Sequence, residues 1–470
     1  MNTPDSVSGC QIDELSNLLS RQSDFFDSGL TLSAEYRRNA LRRLQAVLEI
    51  QEKNLLEALW ADLHKHAEEA FASEIGLVHA EIRHALRHLH QWMKPRRVRT
   101  PVLGWPGRSR VIPEPYGRAL ILGAWNYPVH LLLTPCVNAV AAGNCCVLKP
   151  SELAPHTSSV LATVVKEAFA PEHVSLVEGD AEVSRQLLER RHNKIFFTGS
   201  TSVGRKVMAQ AAEHLTPVTL ELGGKCPCIV TRTAAVRTSA RRIAWGKFIN
   251  AGQTCLAPDY VLVDASVRDE LVEELQAAIA AFYGSDPRQS PHYGRIINDR
   301  HFQRLSGLLD AGRVVCGGQR ERQERYIAPT LILDPSPGSA VMAEEIFGPV
   351  LPVIAVAGLD EALTFVKSRP TPLAAYLFSE SSAEHTRMLA ESRSGGVCIN
   401  DTVLHAAGHH LPFGGLGDSG MGSYRGRAGF EAFSHQRAVM ERSTWFNEAI
   451  RCPPPRLSLA KLKQVWKYLV

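Results

Sequence analysis

Four short strings carry side chains suited to covalent or acid–base chemistry. Cys255 lies in "GQTCLAP", Gly252 to Pro258, among small and polar neighbours. A thiolate in such a loop is open to attack a carbonyl carbon, although a cysteine is also a small hydrophobe that packs well. Asn126 stands between two aromatics in "AWNYP", within a segment free of charges. A buried amide needs partners, so it reads either as a satisfied core group or as a donor aimed at a developing oxyanion. Glu221 precedes the thin turn of "ELGGK", where it can point into a cleft as a general base. Glu344 and Glu345 open "EEIFGP", ahead of Phe347. The plain reading for all three acids is a helix cap or a solvated carboxylate.

Two further strings have the form of a binding surface. In "FTGSTSVG" a strand ends, Gly199, Ser200, Thr201, Ser202, Val203 and Gly204 turn, and a helix begins. Backbone N–H groups at a helix start favour an anionic group such as a diphosphate. The spacing is neither a Walker A loop nor Gly-x-Gly-x-x-Gly, so strand–turn–helix punctuation explains it equally. "VLKPSEL" puts Lys149 and Glu152 just beyond another strand end. There they could hold ribose hydroxyls, or form a surface pair.

Composition narrows the class. The chain has 470 residues, 45% hydrophobic and 21% charged, with a net charge of +4. That suits two or three globular domains and argues against a dedicated nucleic-acid binder. The ten cysteines show no zinc or disulfide spacing, and suit a reducing, cytoplasmic setting. His84 and His88 lie four apart near Glu81, but without a third ligand set no metal is expected. From Ala119 to Leu148 there is no charged residue, yet prolines, glycines and asparagines favour a buried strand, loop and helix over a membrane span. No signal-peptide pattern opens the chain.

The elements needed to position these residues are legible by period. Leu41, Leu44, Leu48, Leu55 and Leu59 predict a helix after a cap at Ser33, and Ile75, Val78, Ile82, Leu86 and Leu89 predict another. Pro95 to Pro115 reads as an extended arm. Strands at "RALILGAW", "CCVLKPS", "NKIFFTGS" and "PVTLELGG" interleave with helices, which predicts an α/β fold with a mostly parallel sheet. A second α/β stretch follows Gly224 and ends at "GVCIN". The glycine-rich "LPFGGLGDSGMGSYRGRAGF" predicts a loop leading to a last strand or hairpin. In the tail, Leu459, Leu462, Val465, Trp466 and Leu469 form one apolar helical face, suited to the protein body, a partner subunit or a membrane surface.

The strings "WNYP", "LKPSE", "FTGSTSVG", "ELGGK", "GQTCLAPDY", "EEIFGP" and "LPFGGLGDSGMG" resemble, in order, those of the aldehyde dehydrogenase superfamily, class 3 or fatty-aldehyde type. The resemblance implies an NAD(P)-binding domain over 1–94 and 116–222, a catalytic domain over 223–410, an oligomerisation arm over 95–115 and 411–440, and a tail over 441–470. It implies Cys255 as nucleophile, Asn126 as oxyanion donor and Glu221 as base. Lys149, Glu152, the Gly199–Gly204 turn, Glu345 and Phe347 would hold NAD or NADP. A homodimer is implied, and a medium- or long-chain aliphatic aldehyde as substrate, with the C-terminal helix covering the tunnel or touching a membrane. The rivals are an aromatic, coniferaldehyde-type substrate, a CoA-acylating dehydrogenase, a thioesterase, and a non-enzymatic interaction protein. The sequence departs from the family pattern at Leu32, Ala124 and Cys226, none of them in the reacting set.

Overall fold

The computed structural model describes residues 9–101, 104–336, 338–445, 453–454 and 458–467. After the opening helix Gly9–Asp27, two long helices carry the expected leucine and isoleucine stripes. The first, Ala34–Leu63, starts at Ser33, whose side chain accepts the Tyr36 N–H at 3.3 Å. It buries Leu41, Leu44, Leu48, Leu55 and Leu59, the stripe that the period predicts. The second, Gly76–Trp92, buries Val78, Ile82 and Leu89. A π-helical turn at Phe71–Ile75 joins it to the preceding short helix. No local signal announces that turn, which turns Glu74 into the core.

Four sheets follow among the described residues, the smallest being the antiparallel pair Arg320–Glu321 and Tyr326–Ile327. A six-stranded sheet runs in the order Gly420–Met421, Val218–Glu221, Lys194–Thr198, Arg118–Leu122, Cys145–Lys149, Val174–Leu176. All its pairings are parallel except that of Gly420–Met421. A seven-stranded sheet runs Arg313–Cys316, Thr330–Leu333, Val350–Val356, Tyr260–Asp264, Pro227–Val230, Ala374–Phe378, Gly396–Ile399, and only the first strand is antiparallel. Arg96–Val98, Gly107–Pro115 and Ser434–Arg442 form a separate antiparallel sheet, joining distant parts of the chain.

The uncharged run from Ala119 to Leu148 becomes strand, loop, helix and strand, and every residue of its helix, His130–Ala142, is buried. No helix among the described residues is long and apolar enough to cross a membrane.

One expectation fails. The last residues of "LPFGGLGDSGMGSYRGRAGF" are not loop: they begin a helix, Gly426–Ala432. Its first N–H, at Gly426, donates to the buried carboxylate of Glu81 at 2.7 Å. Gly429 lets it lie against Asn138, whose Cγ would stand 2.3 Å from an added Cβ. Both partners are remote in sequence, so no local pattern reveals them. The tail forms a helix at Leu459–Trp466 whose Leu459 and Trp466 are 68% and 53% exposed. Leu469 and the side chain of Val465 lie outside the described residues.

Candidate active site

The loop bearing Cys255 is built from unusual backbone. After the helix Val236–Phe248, Asn250, Ala251 and Gly252 adopt φ values of 50°, 51° and 73°. Gly252 is required, because a Cβ there would meet the Gly348 carbonyl oxygen at 2.3 Å. The two non-glycine residues persist in this region only if their surroundings hold them. Gln253 supplies that hold. Its amide donates to the Asn250 and Arg295 carbonyls, each at 3.0 Å, and accepts the Ile297 N–H at 3.0 Å. Gln253 and Thr254 are buried, whereas Cys255 keeps partial exposure.

Asn126 reaches this loop directly: its Nδ2 donates to the Gln253 carbonyl at 3.1 Å. An amide nitrogen carries two protons, so one remains for another acceptor. Asn126 is itself held from behind. Its carbonyl accepts from Lys65 Nζ at 3.1 Å and from Asn250 Nδ2 at 2.8 Å. Lys65 is fully buried against Glu74, whose other oxygen accepts the Val129 N–H at 2.9 Å. The ammonium also lies 4.2 Å from the Tyr127 ring centroid, and the Tyr127 hydroxyl bonds Thr254 Oγ1 at 2.7 Å. Tyr127 therefore braces the loop.

Glu221 ends its strand in a buried position, with neither carboxylate oxygen hydrogen-bonded among the described residues. Burial pushes its carboxyl well above the usual range, and the positive charge of Arg425 opposes that shift. Glu345 is pushed up to about 8, first by burial and then by the charge of Asp259. Cys255 is pushed up to about 12 by burial and by the charges of Glu345 and Glu221, with Arg425 again opposing. These mutual effects put the thiol, both carboxyls and Arg425 in one electrostatic neighbourhood.

Two residues outside the expected site tie its motifs together. Asp259, immediately before the strand Tyr260–Asp264, is buried and accepts the Ile346 N–H at 2.9 Å. It also pairs with Lys225 of "ELGGK", whose ammonium donates to the Val341 and Glu344 carbonyls at 2.8 and 2.9 Å. The turn after Glu221, the cysteine loop and the Glu345 segment are thus one assembly. Cys226 contributes as well, because its thiol donates to the Cys255 carbonyl at 3.3 Å.

The remaining expected residues collect at one edge of the six-stranded sheet. Register sets Leu122 beside Lys149 and Phe197, and Thr198 beside Glu221, all at the carboxyl ends of parallel strands. That edge is where open α/β sheets bind ligands. Lys149 is buried and donates to the Pro150 carbonyl at 2.8 Å and to the exposed Glu152 at 3.1 Å. Gly199 donates to the Glu221 carbonyl at 3.0 Å. Ser200 caps the helix Thr201–Ala212, Ser202 and Val203 lie in its first turn, and Gly204 admits the Leu222 side chain at a distance that a Cβ would reduce to 2.5 Å. Phe347 packs edge-on to Trp125 at 5.3 Å, so Trp125 belongs to this side as well.

A sequence model described as the Aldehyde dehydrogenase family matches residues 7–439. The chain belongs to the aldehyde dehydrogenase family. It is 47% identical to rat aldehyde dehydrogenase family 3 member B1 over 445 residues, 94% of this chain and 95% of that one. It is 44% identical to the mouse dimeric NADP-preferring aldehyde dehydrogenase, covering 94% and 98%. The solved substrate-bound state of a Staphylococcus aureus aldehyde dehydrogenase superposes with a TM-score of 0.94 at 41% identity, covering 96% and 99%.

This aldehyde dehydrogenase is an NAD(P)-dependent enzyme, and its sheet edge fits the cofactor. Glu345 leaves Oε1 without a hydrogen-bond partner among the described residues, as a group awaiting hydroxyls would. Gly223 keeps the adjoining turn thin, since a Cβ there would stand 1.9 Å from Glu345 Oε2. The helix start capped by Ser200 offers N–H groups suited to a diphosphate. Lys65, Glu74 and Arg425 were not singled out by the sequence, and Asp259 reads there equally well as a turn residue. For Lys65 and Glu74 the one available signal was charge placed between two apolar helical stripes.

Proposed function

We propose that this aldehyde dehydrogenase oxidises an apolar aldehyde to its carboxylic acid through a thioester on Cys255. The observation that carries the reading is the buried Glu221 carboxylate, unpartnered and within the electrostatic reach of Cys255. The Cys255 thiol gives its proton to solvent, its sulfur attacks the aldehyde carbon, and a thiohemiacetal oxyanion forms. Asn126 Nδ2 and the Cys255 N–H stabilise the oxyanion. Bound NAD or NADP supplies the hydride acceptor. Lys149, Glu152, the Gly199–Gly204 turn, Glu345 and Phe347 hold and orient it. Glu221 then takes a proton from water, which attacks the thioester and frees the acid. Burial raises its proton affinity well above that of an ordinary carboxylate, which favours taking that proton.

The same reading includes a cytoplasmic homodimer built through the antiparallel arm sheet, with the domain limits stated above. The mouse relative is named as dimeric, which supports this. The exposed apolar residues of the helix Leu459–Trp466 support a role in covering the substrate or resting on a membrane. A kinetic panel of aliphatic and aromatic aldehydes with each cofactor tests the substrate class. Product analysis decides between the acid and acyl-CoA. Unchanged chain-length preference after deletion of residues 457–470 defeats the covering role.

A further inference from the structure

The helix Gly76–Trp92 carries His84 and His88 one turn apart, and the segment before Leu411 carries His409 and His410. The fold brings the two pairs together. The His84 ring centroid lies 4.3 Å from that of His88, 4.9 Å from His409 and 5.3 Å from His410. These imidazoles, with Arg425 and Arg427, line a pocket of about 520 Å³.

The charges around the pocket are unevenly satisfied. Glu81 is occupied by His409 Nδ1 at 2.8 Å and by the Gly426 N–H. Glu431 is occupied by Arg427 at 2.8 Å. Arg425 is 6% exposed; its Nη2 bonds the imidazole of His130 at 2.8 Å, and its Nε has no hydrogen-bond partner among the described residues. A buried guanidinium facing a pocket walled by imidazoles is built for negative charge. A metal is the other ligand that histidines suggest, but no three His, Cys, Asp or Glu donors among the described residues converge on a metal position.

We propose that this pocket binds a small oxyanion, a carboxylate or phosphate group, that pairs with Arg425 and draws protons from solvent onto the imidazoles. The protonation follows from geometry. His88 Nδ1 faces the His84 carbonyl at 2.9 Å, and a carbonyl only accepts, so the proton of neutral His88 sits on Nδ1. Its Nε2 becomes a donor to an anion only when the ring gains a second proton. Burial, then the charge that His409 and His88 would carry, pushes His84 down to about 4, so His84 resists charging by itself. An anion between the rings removes that resistance. Binding therefore strengthens as pH falls, by up to about tenfold per pH unit for each proton taken up.

Calorimetric titration of the full chain with acetate and with inorganic phosphate, at pH 6 and pH 8 and constant chloride, tests this. Acetate keeps a constant charge over that range. Saturable binding that is several-fold tighter at pH 6, with heats that depend on the buffer's ionisation enthalpy, is expected. The stronger of the two anions assigns the class. His84→Gln combined with His88→Gln should weaken binding at pH 6 about tenfold and flatten its pH dependence. Shifts of wild-type imidazole resonances on adding acetate give a second readout that needs no variant. Absence of saturable binding, or binding that the double variant retains with the same pH dependence, overturns the proposal. None of these readouts depends on aldehyde turnover.

Discussion

The ammonium of Lys65 donates to the backbone carbonyl of Asn126 at 3.1 Å from inside the protein core. Lys65 follows the end of the helix Ala34–Leu63, and Asn126 follows the strand Arg118–Leu122. One buried charge therefore fixes the peptide of the proposed oxyanion donor. Its own partner, Glu74, is turned inward by a π-helical turn and also holds the N–H of Val129. The consequence is that a buried residue behind Asn126 sets the aim of its side-chain amide.

Lys65→Met leaves Glu74 buried without its cation, a change that costs about 3–5 kcal/mol in comparable buried pairs. Denaturant unfolding should show the loss, and kcat should fall while cofactor affinity holds. Adding Glu74→Gln, which keeps an acceptor for Val129, should recover part of the stability. Equal stability of Lys65→Met and the wild type would remove the network from this role.

Asn126→Ala should lower kcat by roughly 10²–10³, the usual effect of deleting one oxyanion donor. Cofactor affinity, followed by fluorescence titration, should stay unchanged. Near-normal turnover would show that the free proton of Asn126 Nδ2 meets no oxyanion.

Cys255→Ser should abolish dehydrogenase turnover with cofactor binding intact. Cys226→Ser should retain turnover, because a hydroxyl can replace the thiol that donates to the Cys255 carbonyl at 3.3 Å. Cys226→Val cannot donate, so its kcat should drop several-fold. The three variants, assayed together, separate the nucleophile from its support.

Glu345, pushed up to about 8 from an ordinary 4.5, binds its proton more tightly in the folded chain than in the unfolded one. Stability from this group is therefore complete below 4.5 and declines as pH rises toward 8. Glu345→Gln should raise the melting temperature more at pH 9 than at pH 5. Removing this carboxylate also removes a negative neighbour of Cys255, so its alkylation by iodoacetamide at fixed pH should speed up. A thiol that reacts no faster would break the electrostatic link between the two residues.

Much of the fold was legible because burial has a period. The leucines of Ala34–Leu63 face inward every third or fourth position, and the strand ends at Lys149, Thr198 and Glu221 lie where apolar runs stop. The helix Gly426–Ala432 was hidden, since its start is capped by Glu81, 345 residues away. Arg425 was hidden for the same reason: its meaning comes from His130 and from the carboxyl of Glu221.

The string "GQTCLAP" and its companions mark Cys255, Asn126, Glu221 and Glu345 as one set through their resemblance, in order, to the strings of the aldehyde dehydrogenase family. Sequence could not say what holds them. Three successive left-handed residues before the cysteine, the Gln253 clamp, the Lys65–Glu74 pair behind Asn126 and the Asp259–Lys225 tie exist only when distant segments meet. The same holds for the four imidazoles beside Arg425. Local periodicity reports which face of an element is apolar. Proton affinities and hydrogen-bond partners depend on which charges and dipoles end up within a few ångströms, and only tertiary packing decides that.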